Sequence, residues 1–245
     1  LGSKVKINSI NTPTIGTYVP NSTTITPEQL KDESRMLEIT EAKYFAFFLD
    51  DVDEKQATSG LIAEGMRKAV IGLKDLAELF VTTKYVDAYS SVTNTTLTSG
   101  DFFSTFMKAK RKLMRNGNVS VSDAVFAEVT PEVWEKGVLA DILFNNQDNG
   151  EMIRKGQYVT SLGMTFYVSN NIAVTETNED VALQTCIVRT KDSIGYAEQI
   201  MKTVKYMPEN SFSEACKGLH VYGARMIKAK EACKLVLTTA AETTI

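Results

Sequence analysis

One histidine, His220, and three cysteines, Cys186, Cys216 and Cys233, leave little from which to build a metal or nucleophilic site. No C-x-x-C, H-x-x-x-H or G-x-S-x-G surrounds the histidine, so neither a zinc site nor a Ser-His-Asp arrangement is supported. In Leu219-His220-Val221 the ring alternates with apolar neighbours, as a strand residue does. The thiols are odd in number and widely spaced, with no signal peptide ahead of them, and read as reduced groups of a cytosolic protein. Phosphate loops are also missing: Gly218 to Gly223 has neither the G-x-G-x-x-G spacing nor a Walker lysine. No apolar run approaches the ~20 residues of a membrane span, so no membrane partner is expected. The formal charge of −3 gives no global attraction to nucleic acid. The cluster Asp50, Asp51, Asp53, Glu54 could bind a divalent cation, but a helix start accounts for it without one. Triplets of the N-x-S/T type at Asn21, Asn94 and Asn118 mean nothing without secretion. No constellation for catalysis, no cofactor and no metal emerges, and the chain reads as a non-enzyme.

What is present is a soluble globular composition of 245 residues, 43% hydrophobic and 23% charged, enough for one or two domains with a real core. The chain begins at Leu1 without methionine and runs within a few residues into a strand pattern; an upstream segment lost, cleaved or left out is the expectation. The dominant element is a helix expected from about Asp53 to about Tyr85, free of proline. Asp53 and Gln56 form a capping-box pair at its start. Ile62, Met66, Ala69, Leu73, Leu76 and Phe80 recur at steps of four and three and form one apolar face. Its length, on the order of 50 Å, fits a long core helix or a spine shared by two lobes.

Ahead of the helix, Val5, Ile7 and Ile15 alternate with polar residues, as do Leu37 and Ile39. Between them lie Tyr18-Val19-Pro20-Asn21 and Thr26-Pro27, with Thr26 a candidate cap for a short helical turn. A hairpin with an elaborate tip results, and a lone two-stranded ribbon needs a surface to lie on, in its own chain or a neighbour's. Tyr44 to Leu49 is a continuous apolar strand, too hydrophobic to be exposed on both faces. Ser90 to Ser99 reads as a loop, followed by a helix capped by Thr98 or Ser99, with Phe102, Phe103, Phe106, Met107, Leu113 and Met114 on an apolar stripe and Asn116-Gly117 as its stop. The same helix carries Lys108, Lys110, Arg111, Lys112 and Arg115, a solvated face that offsets the helix dipole or a phosphate-binding run. A strand at Ala124–Val129, a Thr130-Pro131 cap and a short helix to Phe144 follow, then the polar surface loop Asn145 to Gly150. Strands are expected around Met164–Val168 and Leu183–Arg189, and a helix capped at Asp192 or Ser193 carrying Ile194, Ala197 and Ile200. The irregular interleaving indicates an α+β fold.

Gly163 to Asn171, GMTFYVSNN, and SIGYAEQIMKTVKYMPENSFSEACKGLHVYGARMI from Ser193 onward resemble the major capsid proteins of tailed bacteriophages. So do KVKINSI, TPTIGTYVP, TITPEQL and KYFAFFLDDVDEKQ, in the order that family has them. The resemblance implies the Hong Kong 97-type capsid fold: an extended hairpin over residues 1–42, a peripheral domain over 43–120 with the spine helix at 53–85, a mainly axial domain over 121–200, and a return to the peripheral domain over 201–245. It further implies a homo-oligomer of pentamers and hexamers closing an icosahedral shell around double-stranded DNA, assembled in a host cytoplasm. An encapsulin-like compartment is the alternative. Scaffolding, portal or decoration proteins are the candidate further partners. Interface candidates are Val5, Ile7, Ile25, Pro27, Leu37 and Ile39 on the hairpin and Asn145, Asn146 and Gln147 at the capsomer axis. Lys108, Lys110, Arg111, Lys112 and Arg115 are the candidate DNA-facing residues, through non-specific phosphate attraction alone.

Overall fold

The computed structural model describes residues 4–10, 15–27, 29, 32–50, 61–140, 159–178, 181–209 and 213–239. The expected capping box at Asp53 and Gln56 and the polar loop Asn145 to Gly150 lie outside them. Strands β1 (Lys4–Ile10) and β2 (Asp32–Glu38) form the antiparallel hairpin that period two indicates, with Lys4 opposite Glu38. Thr26 and Pro27 are not helical, so the capped turn expected there does not begin at them. The base of the hairpin is held by its own chain. Leu37 is fully buried, Arg225 donates to the Met36 carbonyl at 2.5 Å, and the Arg35 guanidinium donates to the Ile227 carbonyl.

Strand β3 (Glu41–Asp50) joins a three-stranded antiparallel sheet in the order β10-β11-β3, where β10 is Ile194–Tyr206 and β11 is Ser213–Met226. Helix α1 (Leu61–Thr82) lies across one face of it and continues as a 3-10 turn, Thr83–Asp87. The inward line of α1 is Ile62, Met66, Ala69, Leu73, Ala77 and Phe80, with Leu76 turned outward. Strict four-three alternation has a period of 3.5, and a straight helix of 3.6 drifts about 20° per heptad against it, so the stripe slides from Leu76 to Ala77. Phe45 and Phe47, stacked at 6.1 Å, lie on the helix side. Gly218 makes that possible: a Cβ there would fall 2.3 Å from the Phe45 ring. Phe80 meets Tyr222 edge-on at 5.6 Å.

The helix expected after Asp192 is instead a 3-10 turn, Lys191–Ser193, followed by strand β10. A register shift between Glu198 and Ile200 breaks the alternation of β10 and leaves spacings that read as helical. Long-range pairing with β11 outweighs them.

The second sheet has the order β4-β12-β9-β5-β7-β6, with β8 paired to β9. Its strands are β4 (Ser90–Leu97), β5 (Val125–Val129), β6 (Val159–Ser161), β7 (Met164–Val168), β8 (Val174–Asn178), β9 (Val181–Thr190) and β12 (Ala232–Thr239). The stretch Ser90 to Leu97, expected to be a loop, is therefore a strand. Its valine and threonines suit a pleated surface, Val92 and Leu97 are buried, and its partner β12 pairs in parallel from the far end of the chain. Helices α2 (Ser99–Gly117) and α3 (Pro131–Leu139) cover this sheet. The Thr130 hydroxyl accepts from the Val133 N–H at 3.4 Å, the expected cap. The left-handed end of α2 falls on Asn118, φ 54°, one residue past the expected stop. Phe102, Phe106 and Leu113 are fully buried with Phe166, whereas Phe103 and Met107 remain outside, so the buried stripe of α2 is narrower than its apolar residues suggest. All three thiols are free and buried. Burial pushes Cys186 up to about 12 and Cys233 up to about 11.

Two outcomes are expected. Phe106→Ala costs about 3 to 5 kcal/mol in denaturant unfolding and Phe103→Ala less than about 1, because only the first leaves a cavity. The native protein does not react with a thiol reagent at neutral pH, and all three cysteines react once it is unfolded.

Candidate subunit interfaces

The face of the three-stranded sheet away from α1 has no cover among the described residues. Tyr44 is 79% exposed and Phe48 73%, whereas Phe45 and Phe47 on the opposite face are half-buried beneath α1, so the strand is open on one face and, as expected, not on both. Pairing places them in rows. Tyr206, Ala215 and Phe48 stand opposite one another, then Val204, Lys217 and Ala46, then Lys202, Leu219 and Tyr44. The Lys217 ammonium lies 4.7 Å from the centre of the Tyr206 ring. The result is a patch of aromatic and aliphatic side chains on a rigid frame, with one cation at its middle.

Further exposed apolar side chains lie on the hairpin, on both of its faces. Val5 is exposed on β1 and Met36 on β2, and Ile15, Tyr18, Val19 and Ile25 are exposed beyond the strands, Ile25 at 75%. The turn at Val19 is internally bonded: its N–H donates to the Thr23 hydroxyl at 2.7 Å and its carbonyl accepts from Ser22 and Thr23, with Asn21 left-handed at φ 64°. The apolar residues are therefore presented by an ordered turn. Of the sequence candidates, Val5, Ile25 and Pro27 are exposed, Ile7 and Ile39 are half-buried, and Leu37 is committed to the chain's own interior. Asn145, Asn146 and Gln147 lie outside the described residues.

The basic run on α2 divides. Lys110 is buried, and its ammonium donates to the carbonyls of Leu162 and Gly163 at 3.1 Å each, both residues having positive φ in the β6–β7 turn. A Cβ on Gly163 would meet that ammonium at 2.5 Å, so glycine serves both the turn and the lysine. Lys112 donates to the Ser91 carbonyl at 2.5 Å. Lys110 and Lys112 are thus structural, and Lys108, Arg111 and Arg115 remain on one exposed helix face.

The histidine behaves as a strand residue with a satisfied ring. His220 Nε2 lies 3.0 Å from Glu198 Oε2 and 3.3 Å from the Tyr196 hydroxyl, beside a groove of about 340 Å³ walled by Phe45, Val70, Leu73 and Ala77. Among the described residues no group of three His, Cys, Asp or Glu side chains is placed to hold a metal ion, and no helix is long and apolar enough to cross a membrane.

Sequence reasoning missed the polar junction at the end of α1. The Tyr85 hydroxyl and the Arg189 guanidinium both donate to the Glu128 carboxylate, the Arg189 Nε at 2.8 Å. Burial, with the carboxylate beside it, drives the Tyr85 hydroxyl far above its usual value. Glu78 accepts from the Ser169 hydroxyl at 2.7 Å and from the Asn171 amide at 2.6 Å. Nothing in the residues around Glu128 or Glu78 marks them, because each partner is brought from a distant strand.

A long helix on a small sheet, a projecting hairpin and a second, larger sheet unit define the Hong Kong 97-type fold of tailed-phage capsid proteins. The chain is similar to a structure of Mycobacterium phage Che8, at 21% identity over 96% of this chain and 84% of that one, TM-score 0.73. The capsid structure of Cyanophage P-SCSP1u matches at 15% identity over 98% and 84%, TM-score 0.73. A virus-like particle from Pyrococcus furiosus matches at 13% identity over 96% and 86%, TM-score 0.56. No protein-family model and no curated protein matches the sequence.

The division of the basic run has a measurable consequence. Lys110→Met leaves two carbonyls without their cation and lowers stability by about 1 to 3 kcal/mol. Arg111→Ala changes it by less than about 0.5 kcal/mol, both read from thermal unfolding of the purified protein.

Proposed function

We propose that the chain is a structural subunit that assembles into pentamers and hexamers of an icosahedral shell enclosing double-stranded DNA. The observation that carries this reading is the open aromatic face at Tyr44 and Phe48, on a frame that superposes along almost its whole length on phage capsid chains. An apolar face of this kind on a soluble chain calls for a covering partner, and the exposed hairpin of a second copy is a surface of matching character. The two patches are different, so the contact is heterologous and generates rings or closed shells rather than twofold dimers. The seven-stranded unit takes the axial role, with Asn145, Asn146 and Gln147 near the capsomer axis, where uncharged side chains converge without like-charge repulsion. The spine helix and three-stranded sheet take the peripheral role.

The genome contact in this reading is the exposed trio Lys108, Arg111 and Arg115. Phosphate attraction screened by salt is the mechanism, since a packaged genome is held without being read. Scaffolding, portal and decoration proteins are further partners of such a shell. The match to the Pyrococcus furiosus particle supports a second reading, a compartment for protein cargo in the same fold.

Electron microscopy of the purified protein is expected to show closed particles tens of nanometres across. An absorbance ratio typical of nucleic acid after nuclease treatment separates a DNA shell from a cargo compartment. Tyr44→Ser with Phe48→Ser is expected to abolish particles while leaving folded subunits, and hydrogen exchange in the 4–38 hairpin should be fast in free subunits and slow in assembled ones. Assembly unaffected by the double substitution would sink the proposed contact. Neutralising Lys108, Arg111 and Arg115 is expected to reduce packaged DNA or particle stability at low salt and to matter less at high salt.

A further inference from the structure

The two sheet units have separate interiors. One lies beneath α2 and α3, and a smaller apolar cluster of Tyr85, Ile172, Ile187 and Met226 sits where the end of α1 meets the larger sheet. Apolar contact has no preferred direction, so this cluster joins the units without fixing the angle between them. Hydrogen bonds are directional, and apart from those at the two chain crossovers around Ser193 and Ala229 the ones that tie the spine helix to the larger sheet come from one short stretch, Asp75 to Tyr85. Glu78 spans the turn after β7 with both carboxylate oxygens, one on the Ser169 hydroxyl and one on the Asn171 amide. That amide also reaches Asp75 at 3.4 Å, and the Thr82 hydroxyl lies 3.3 Å from the Asn171 carbonyl. The turn is itself braced, since the Asn171 N–H donates to the Ser169 hydroxyl at 3.1 Å and the Ser169 N–H to the Val129 carbonyl at 2.9 Å. Behind it, Tyr85 donates to Glu128, whose other oxygen is held by Arg189.

We infer that Glu78, through Ser169 and Asn171, is a positioning residue that sets the angle between the spine helix and the seven-stranded unit, and through that angle the curvature and size of the shell; this rests on the shell reading above. Helix α1 spans 22 residues, about 33 Å, and turns a small rotation at the clamp into a large displacement at its far end. A pivot of about 10° moves that end by about 6 Å at a rise of 1.5 Å per residue. In a closed assembly every copy repeats the same contacts, so an angular change in one subunit is repeated around the ring and decides which closure is reached. Of the two clamps, Glu78 is the one on the surface, whereas Glu128 is mostly buried with its partners. Its removal therefore frees the angle without opening a core.

The test compares Glu78→Ala, Glu78→Gln and the double variant Ser169→Ala with Asn171→Ala against the parent. Particle diameter and capsomer number are measured by electron microscopy, and unfolding midpoints on free subunits. Glu78→Ala and the double variant are expected to fold with midpoints close to the parent and to give a shifted or broadened diameter distribution. Glu78→Gln is expected to restore the parent diameter, because its amide accepts from Asn171 and donates to Ser169. A role in stability alone would move midpoints and leave diameters fixed. Parent-like particles from both Glu78→Ala and the double variant overturn the inference while the shell reading stands. If Glu78→Ala gives folded subunits without particles, the double variant decides on the same readout. If the parent itself forms no particles, the shell reading fails. Small-angle scattering of free subunits then tests the clamp, and an unchanged distance distribution in Glu78→Ala overturns it.

Discussion

A sheet has two faces, and a single helix covers one. That constraint shapes the smaller unit. Helix α1 takes the side carrying Phe45, Phe47 and Tyr222, with Gly218 cut back to admit a ring, and the side carrying Tyr44, Phe48 and Leu219 has no cover from the described chain. A monomeric protein would place a second layer there. Among the described residues that layer is built for the larger sheet, with α2 and α3 on one side and the end of the spine on the other, and not for the smaller one. The open face is therefore a choice made by topology and not a shortage of apolar residues.

The two units are also held by different physics. Beneath α2 the contacts are rings and aliphatic chains in dense packing: Phe102, Phe106 and Phe166 with centroids 4.6 to 5.9 Å apart. At the junction a small apolar cluster is flanked by carboxylates with hydroxyl, amide and guanidinium partners. Dense packing resists change of volume, and a few directional bonds resist change of angle while remaining individually weak. A molecule with rigid blocks and a polar joint keeps its shape within each block and concentrates any adjustment between them.

How much of this was legible in the sequence depended on where the partner of each element lay. The hairpin, strands β3, β5, β7 and β9, and the Thr130-Pro131 cap announce themselves by local alternation or by a cap residue, and they were readable. Ser90 to Leu97 was not, because its identity as a strand comes from parallel pairing with β12, more than a hundred residues later. The stretch after Ser193 was misleading because a bulge resets its period. Among the interface candidates, exposure separated Ile25 from Leu37, although both are apolar residues in the hairpin region; only the packing of Leu37 beside Gly195 distinguishes them. On α2 the same limit applied to charge. Lys110 and Arg111 are adjacent and alike in sequence, yet one turns inward to two carbonyls and the other meets solvent. The clamps at Glu78 and Glu128 had no local signature at all.

Strand order has a temporal consequence. The smaller sheet is completed by β11, which supplies the strand between β10 and β3, and the larger one by β12, which fits between β4 and β9. Both interior positions, the middle of the smaller sheet and the one beside the edge strand of the larger, are filled by the last two strands of the described chain. During synthesis, which proceeds from the N-terminus, β3 is exposed to the cell long before it has a neighbour, and Tyr44 and Phe48 have no frame to share. The patch becomes a defined surface only after residue 226 has emerged, and the larger sheet only after residue 239. Until then the chain has the residues of that face but not the face itself.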